Sequence, residues 1–328
     1  MITTWLHSHP VFTLSWSLIF WAFVNVASIL VTKPINHAFD FEYPVIILLW
    51  QNVFTLSFLA FLDTIHCISY KELRTDMIAM WLPVSINSVA VCLSEYYTGF
   101  LLKSSAVSFF RHIGTLFTIY LEAHTTWQPL LRTTTISCVM IGICALSLLI
   151  TSSLNVSGSI IAITNCIIGS TFLIFTKQMI MRDSSTRNHF DVWTMTYYNS
   201  VFSILLLLPL AFFMGEFRTL GVDLIIRRGD NVFVLLMIIL GFLSFFRATS
   251  TFWVIKRTDA SNLAIVSLLL HIPISLIGVI EFNVMPTAAW IISVILGLLA
   301  GVVYSCGWMV RGGPVIVDEE QKGKAQKK

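Results

Sequence analysis

The sequence contains few charged residues and none of the common motifs of nucleotide-driven pumps or metalloenzymes. Only 11% of its 328 residues are Asp, Glu, Lys or Arg, whereas an average soluble protein has about 25%. No G-x-x-x-x-G-K-S/T, H-E-x-x-H, G-x-G-x-x-G or C-x-x-C pattern occurs in it. We therefore expect neither an ATP-driven pump nor an enzyme, and we expect no metal and no cofactor.

Cysteine usage and net charge exclude two further classes of protein. Five of the six cysteines lie in apolar segments and the sixth, Cys67, stands alone in a loop, so no disulfide framework is predicted. The net charge is only +3, and the basic residues are scattered over short loops. A nucleic-acid partner would need these residues gathered on one face, so none is expected.

Long apolar runs dominate the chain, which is 56% hydrophobic with a mean hydropathy of +0.83. A helix that spans a bilayer needs about 20 apolar residues, and no run shows the period of two that is typical of a barrel strand. The sequence therefore predicts an all-α membrane protein with ten transmembrane helices. The predicted spans are 12–32, 43–62, 77–98, 103–122, 132–151, 157–177, 193–214, 231–254, 262–282 and 287–309.

These spans divide the chain into a short N-terminal segment, a membrane domain and a tail. Residues 1–11 precede the first helix, residues 12–309 form the membrane domain, and residues 310–328 are charged and predicted to be disordered. The membrane domain splits into halves at 12–151 and 157–309. The first apolar run lacks a basic segment before it and a cleavage site after it, so we interpret it as a helix and not as a signal peptide.

Lysine and arginine are unevenly distributed between the two sides of the predicted bilayer. With a cytosolic N-terminus, thirteen of them fall on the cytosolic side and five on the other. Positive residues in short loops stay in the cytosol, so both termini are predicted to be cytosolic. Arg111 and Arg247 remain within the membrane.

The fourth predicted helix carries an arginine and a histidine that are costly to bury, Arg111 and His112. An ionisable group at membrane depth costs about 2.5 kcal/mol or more, so it is expected to face a protein interior or a water-filled pathway. A shift of 159 residues superimposes this helix on the ninth with five identities in sixteen residues. The matched residues are Val107, Ser108, His112, Ile113 and Glu122 with Val266, Ser267, His271, Ile272 and Glu281.

The fourth and ninth helices run in opposite directions in the predicted topology, so the repeat is inverted across the membrane. His112 lies ten residues before Glu122, about 15 Å along a helix axis. The two histidines are thus expected near mid-depth, and Glu122 and Glu281 at opposite faces. Inverted repeats with polar residues at mid-depth are typical of alternating-access transporters. Helical spacing predicts two polar stripes that face one cavity, made of Ser108, Arg111, His112, Thr115 and Glu122, and of Ser267, His271, Ser275 and Gly278. The alternative is that the serines and threonines bond to their own helices and the histidines bond across the bundle.

Three further polar groups are candidate site residues. The run Tyr197, Tyr198, Asn199 and Ser200 offers aromatic faces beside an amide, which suits a base and a sugar, or else it forms an interfacial aromatic belt. Arg247 would join Arg111 in binding a diphosphate, or else it pairs with Glu95 or snorkels. Glu95 and Tyr96 are predicted to act as a charge partner or as part of a gate.

Gly297 and Gly301 are spaced to allow close helix approach in the tenth helix. The usual reason for this pattern is packing within the chain. A homodimer through this face is the alternative, and we keep it as an expectation about partners.

Several of these segments resemble motifs of the nucleotide-sugar transporter branch of the drug/metabolite transporter superfamily, in particular its Golgi GDP-mannose transporters. Residues 110–114, followed by Glu122, are similar to the family's F-K-N-L-T with a later G-E. Residues 197–200 are similar to F-Y-N-N, and residues 267–274 to G-A-L-N-K-L-P-I. The chain departs from these motifs at Ser200, which replaces an asparagine, and at His271, which stands at the lysine position.

This resemblance implies a drug/metabolite transporter fold, with two inverted five-helix repeats in the Golgi membrane or, alternatively, in the endoplasmic reticulum membrane. It also implies exchange of a cytosolic nucleotide sugar for a lumenal nucleoside monophosphate, with the residues near Asn199 on the base and those near His271 on the sugar and phosphates. GDP-sugars such as GDP-mannose are the favoured substrates. The alternatives are a UDP-sugar or other organic phosphate, a proton-coupled metabolite exporter, and a Golgi scaffold without transport activity.

Overall fold

The computed structural model describes residues 10–41, 43–71, 75–126, 131–151, 154–186, 191–218, 220–221, 230–270 and 288–310. These ranges consist of helices joined by short connections. The helices are α1 (Pro10–His37), α2 (Pro44–Thr64), α3 (Thr75–Leu101), α4 (Ser104–Thr126), α5 (Arg132–Thr151), α6 (Val156–Thr186), α7 (Val192–Phe213), α8 (Asn231–Arg257), α9 (Ala260–Leu270) and α10 (Ala288–Val310).

Within the described ranges, seven helices are long and apolar enough to cross a membrane: α1, α2, α3, α5, α6, α7 and α8. The chain is therefore a multi-pass membrane protein, as predicted. α4 is not among the seven, although it is 23 residues long, because Arg111, His112 and Glu122 lower its mean hydropathy. α9 and α10 contribute shorter apolar stretches, Ala260–Leu270 and Ile291–Gly307. The count of ten spans stays a prediction.

Local sequence explains where several helices begin. Pro44 opens α2, where its missing N–H would have no partner in any case. Asp230 caps α8, because its carboxylate accepts hydrogen bonds from the backbone N–H groups of Val232 and Phe233 at 3.0 and 3.3 Å. The turn between α3 and α4 needs only Leu102 and Lys103, so the short gap expected there is sufficient.

Among the residues that the structure describes, the helices pack in pairs around four buried apolar clusters. α3 lies along α6, α8 along α1, α2 along α7, and α5 along α10. The largest cluster joins α1, α3, α7 and α8, and its centre contains Trp81 and Tyr198, both fully buried. The inner surfaces left by these pairs carry the polar residues described below.

Glycines mark two of the closest helix contacts. A Cβ on Gly241 of α8 would lie 2.5 Å from the ring of Phe54 on α2, and one on Gly307 of α10 would lie 2.8 Å from Cβ of Thr133 on α5. Gly301 also packs within the chain, since a Cβ there would lie 3.0 Å from Leu269, whereas a Cβ on Gly297 would meet nothing within 4 Å. Gly297 and Gly301 thus have different surroundings.

Candidate functional site

A cavity of about 310 Å³ lies between α1, α2, α3, α4, α6, α7, α8 and α9. Its size is within the range of small-molecule sites. Charged, amide and hydroxyl side chains line it, although it is surrounded by apolar helices. The polar lining residues are Asn25, Gln51, Asn52, Thr55, Ser88, Glu95, Arg111, Thr115, Thr118, Asn165, Ser170, Asn199, Ser203, Ser244, Arg247, Thr251 and Ser267.

The first charged group in the cavity is an ion pair between Arg111 of α4 and Glu95 of α3. Nη2 of Arg111 donates a hydrogen bond to Oε1 of Glu95. The pair remains accessible, because the Arg111 side chain is 24% exposed and that of Glu95 is 41% exposed. Nε of Arg111 is buried and has no hydrogen-bond partner.

The second arginine, Arg247 of α8, faces a neutral partner. Its Nη2 lies 3.5 Å from Oε1 of Gln51 on α2, so the alternative ion pair of Arg247 with Glu95 is not the one that forms. The backbone of Gln51 is held to α8, since its carbonyl accepts a hydrogen bond from Ser244 at 3.0 Å. Ser244 also contacts Thr55 across the two helices at 3.1 Å. Arg247 therefore sits at a fixed α2–α8 contact and keeps donors available to the cavity.

Amide groups supply the neutral part of the lining. Oδ1 of Asn199 on α7 is buried without a hydrogen-bond partner, and the residue is 8% exposed. Asn25 instead donates to the backbone of its own helix, and Oδ1 of Asn165 accepts a hydrogen bond from Ser94 at 2.9 Å. Burying an unpaired amide oxygen is costly. Asn199 is therefore the lining residue best suited to accept a hydrogen bond from a ligand.

Other predicted site residues lie outside this cavity. His112 is buried, and its Nδ1 is 2.7 Å from the carbonyl of Ser108 on the same helix. Ser108 is buried as well, and Ser200 is 1% exposed. None of the three is among the lining residues. The predicted stripe on α4 therefore divides, with Arg111 and Thr115 facing the cavity and His112 facing its own helix and its neighbours.

The two tyrosines before Asn199 also point away from the cavity. Tyr198 is fully buried in the largest core cluster, where its hydroxyl donates to the sulfur of Met77 at 3.5 Å. Tyr197 stacks on Tyr70 of the α2–α3 connection, with ring centroids 4.4 Å apart. Burial raises the pKa of Tyr70, and the negative charge of Asp63 and the neighbouring Tyr197 add to this.

Tyr96 does not line the cavity either; its ring makes a T-shaped contact with Tyr97 on the same helix. His271 and Glu281 lie outside the described residues, so the ninth-helix part of the predicted site is represented by Ser267 alone. Ser267 does line the cavity.

Glu122 lies at the end of α4 and binds the start of α9. Its carboxylate accepts hydrogen bonds from the backbone N–H groups of Ala260 and Ser261, at 3.0 and 2.8 Å, and from the Ser261 hydroxyl. These N–H groups would otherwise have no partner, and the helix dipole favours a negative charge there. Glu122 therefore links α4 to α9.

Lys177 of α6 binds the end of α8, on the other side of the turn that leads to α9. Its ammonium donates to the carbonyls of Ile255 and Thr258, at 3.1 and 2.9 Å, where α8 ends. A cation at a helix C-terminus is the counterpart of an anion at an N-terminus. The α8–α9 turn is thus held from two helices by two opposite charges.

A second carboxylate, Glu216, makes an equivalent contact with α2. The left-handed Gly215 (φ 74°) turns the chain after α7, and the Glu216 carboxylate accepts from Val45 and Ile46 at 3.3 and 2.9 Å. Burial raises the pKa of this carboxyl, and the two backbone hydrogen bonds partly oppose the rise. Sequence reasoning missed this residue, because a glutamate in a loop gives no sign of a distant helix end.

Four amide-bearing lining residues were also missed or undervalued: Asn25, Gln51, Asn52 and Asn165. Amides inside an apolar span, such as Gln51 and Asn52, are more often packing groups than ligands. The signal that singled out Arg111, a polar side chain inside an apolar span, is present at Asn25 and Asn165 in a weaker form. An amide at membrane depth costs less than a guanidinium, so the pattern around it is less conspicuous.

Comparison with known proteins agrees with this architecture. Residues 156–306 match the model of the EamA-like transporter family. A GDP-mannose transporter of Arabidopsis thaliana, GONST2, is 23% identical over 285 residues, which cover 86% of this chain and 75% of the relative. The chain is thus similar, at low identity, to transporters of nucleotide sugars and to the EamA-like transporter family.

Two further relatives of this chain carry the same description. GONST1 of Arabidopsis thaliana, a GDP-mannose transporter, is 24% identical over 291 residues and covers 86% of this chain and 85% of its own. The GDP-mannose transporter of Eremothecium gossypii is 31% identical over 142 residues, 43% of this chain and 41% of its own. A solved crystal structure with 10% identity covers 90% of this chain and 96% of its own with a TM-score of 0.60, which supports the fold alone.

Proposed function

We propose that this protein is a secondary antiporter that moves a nucleotide sugar into the Golgi lumen in exchange for a nucleoside monophosphate. The observation that carries the proposal is the cavity, which combines two arginines with the unpartnered amide oxygen of Asn199. Guanidinium groups pair with phosphates through two parallel hydrogen bonds. An amide oxygen accepts from the N–H groups of a base. GDP-sugars are the favoured cargo, because the relatives are named GDP-mannose transporters.

Helix pairing supports alternating access through two inverted five-helix repeats. Adding five to each helix number, counted cyclically over ten helices, turns the pair α3–α6 into α8–α1 and the pair α8–α1 into α3–α6. The same operation leaves the pairs α2–α7 and α5–α10 unchanged. Such a relation is expected for two equivalent halves around a central site. The contacts of Glu122 with α9 and of Glu216 with α2 each join one half to the other. With both termini cytosolic, Glu122 lies at the cytosolic face and Glu216 at the lumenal face.

Exchange follows when both cargoes use one site. A carrier with bound cargo reorients its site across the membrane readily, whereas a carrier without cargo does so slowly. Each inward transport step therefore requires an outward one. A nucleoside monophosphate retains the base and one phosphate of the nucleotide sugar. It would therefore occupy the same amide and arginine contacts without the sugar.

Counterflow into liposomes tests the proposal. Purified protein is reconstituted in vesicles preloaded with GMP, UMP, CMP, AMP or buffer, and uptake of the matching labelled nucleotide is measured. We expect uptake to require one preloaded nucleotide and to be lost in Arg111→Ala. Arg132→Ala is the matched control, because Arg132 is exposed at the start of α5. Folded protein without trans-stimulation by any of the four nucleotides would refute nucleotide exchange, and unaltered function of Arg111→Ala in cells would favour a scaffold.

A proton-coupled exporter is the second candidate, favoured by the presence of the Glu95 carboxylate inside the cavity. An acid that releases its proton on one side of the membrane and its cargo on the other is the usual coupling device of such carriers. The same vesicles distinguish the two candidates. Uptake driven by an imposed pH gradient without any internal nucleotide supports the exporter, whereas uptake that needs internal nucleotide supports the antiporter.

A further inference from the structure

Three charged side chains line the cavity within the described part of the chain: Glu95, Arg111 and Arg247. They are not equivalent. Arg111 is paired with a carboxylate on α3, sixteen residues earlier in the chain, whereas Arg247 faces the neutral amide of Gln51 at 3.5 Å. An anion that approaches Arg111 must therefore compete with the carboxylate of Glu95.

A guanidinium in this environment needs a counter-ion. Removing one partner of a partly buried ion pair leaves the other charge without compensation, which is unfavourable. Arg111 nonetheless has an unused donor, because its Nε has no hydrogen-bond partner, and the side chain of Glu95, which lines the cavity, is 41% exposed. The pair is therefore tight enough to neutralise Arg111 and open enough to be broken by an entering group.

We propose that Glu95 is the resident counter-ion of Arg111, which the phosphate of the cargo must displace, and that this competition determines which anions the site accepts. The inference rests on the proposed function of the cavity as a nucleotide site. Displacing Glu95 costs part of the binding free energy that a phosphate gains from its contact with Arg111. Inorganic phosphate carries no base that could offset this loss through a contact with Asn199, whereas a nucleotide does. Glu95 is thus a specificity-determining residue that excludes small anions.

The same exchange of partners couples binding to helix position. The ion pair joins α3 to α4, next to the two-residue turn between them. When phosphate takes over Arg111, that side-chain link between the two helices is lost. Cargo binding therefore breaks this side-chain link between α3 and α4, whereas a carrier without cargo keeps the link.

Charge-neutral variants test this inference through a gain of binding. Glu95→Gln keeps the shape of the side chain and removes its charge, so Arg111 becomes available to any phosphate. We expect inorganic phosphate to bind Glu95→Gln about tenfold more tightly than the wild type, or better, measured by calorimetry on the full-length protein in detergent. Asp63→Asn, which neutralises a carboxylate near the end of α2, is expected to match the wild type.

Two further variants secure the interpretation. Adding Arg111→Gln to Glu95→Gln should abolish the gain, because the gain acts through Arg111. Glu95→Asp shortens the carboxylate and keeps its charge, so it should give an intermediate affinity for phosphate, and it serves if Glu95→Gln does not fold. Phosphate binding that is equal in the wild type, Glu95→Gln and Glu95→Asp overturns the inference.

GMP, UMP, CMP and AMP in the same titrations separate this inference from the proposed function. A gain in phosphate binding without binding of any nucleotide upholds the counter-ion and refutes the nucleotide site. Normal binding of one nucleotide without a gain in phosphate binding refutes the counter-ion and leaves the nucleotide site intact.

Discussion

Glu122 at the end of α4 accepts hydrogen bonds from both the backbone N–H and the hydroxyl of Ser261 at the start of α9. The two residues are 139 positions apart in the chain. Their contact closes the space between two helices that both border the cavity. Its strength therefore matters for the stability of the fold and for access to the site.

Removing this contact should destabilise the protein in graded steps. Hydrogen bonds to a charged group contribute about 1.5–3 kcal/mol, and Glu122→Ala loses all of those to Ala260 and Ser261. Ser261→Ala loses only the hydroxyl bond. We expect the melting temperature to fall most in Glu122→Ala and least in Ser261→Ala. Thr126→Val, which removes a hydroxyl bonded to the Glu122 carbonyl within α4, is the control. Equal melting of Glu122→Ala and the control would contradict the assignment.

Asn199→Leu should separate stability from binding. Leucine is close to asparagine in shape and removes a buried oxygen that lacks a partner, so stability is expected to be unchanged or higher. Nucleotide affinity should fall about 5- to 150-fold, equivalent to about 1–3 kcal/mol, because one hydrogen bond to the base is lost. Thr196→Val, buried on the same helix outside the cavity lining, should bind normally. Melting curves and nucleotide titrations of both variants provide the check, and a destabilised Asn199→Leu would argue for a structural role.

Alanine substitutions at Gly307 and Gly297 should differ sharply in stability. A Cβ on Gly307 comes within 2.8 Å of Cβ of Thr133, whereas a Cβ on Gly297 meets nothing within 4 Å. Overpacking costs about 1–3 kcal/mol, so Gly307→Ala should melt at a lower temperature. Gly297→Ala should be neutral or slightly stabilising, since alanine favours a helix. A matching loss in both variants would indicate that Gly297 packs against a second chain.

The stability contributed by Glu216 should depend on pH. Its pKa is raised in the folded protein, so the folded state binds a proton more readily than the unfolded state. The contribution is full below the ordinary carboxyl pKa and is lost as pH rises through the raised value. We therefore expect the melting temperature of the wild type, relative to Glu216→Gln, to be higher at about pH 4 than at about pH 7.5. A difference that is constant or rises with pH would contradict the sign.

Sequence reasoning anticipated the parts of the site that are most expensive to bury. Arg111, Glu95 and Arg247 could be identified because a charge within an apolar span needs a polar environment, and all three line the cavity. The apolar runs likewise located most of the described helix ends to within about five residues, although α6 continues past its predicted end at 177 as far as Thr186. Charge and hydropathy are properties of single positions or windows, so they are readable without a structure.

The direction in which each residue faces was harder to predict. His112 follows Arg111 directly, yet a step of one residue turns the side chain by about 100° around the helix, away from the cavity. Tyr198 is apolar enough to join the core, where it contacts Met77. These outcomes depend on which neighbours surround a helix. That information is contained in the packing of distant segments and not in the local pattern.

The charges on both sides of the α8–α9 turn limit where the protein can bend. Lys177 and Glu122 together make five hydrogen bonds to the backbone and Ser261 within residues 255–261. A hinge placed in this turn would break these bonds at once, so the turn is expected to travel with α4 and α6 as a rigid element. The bending that opens this end of the molecule must then be distributed along the interior of the helices, where the backbone is held only by intrahelical hydrogen bonds.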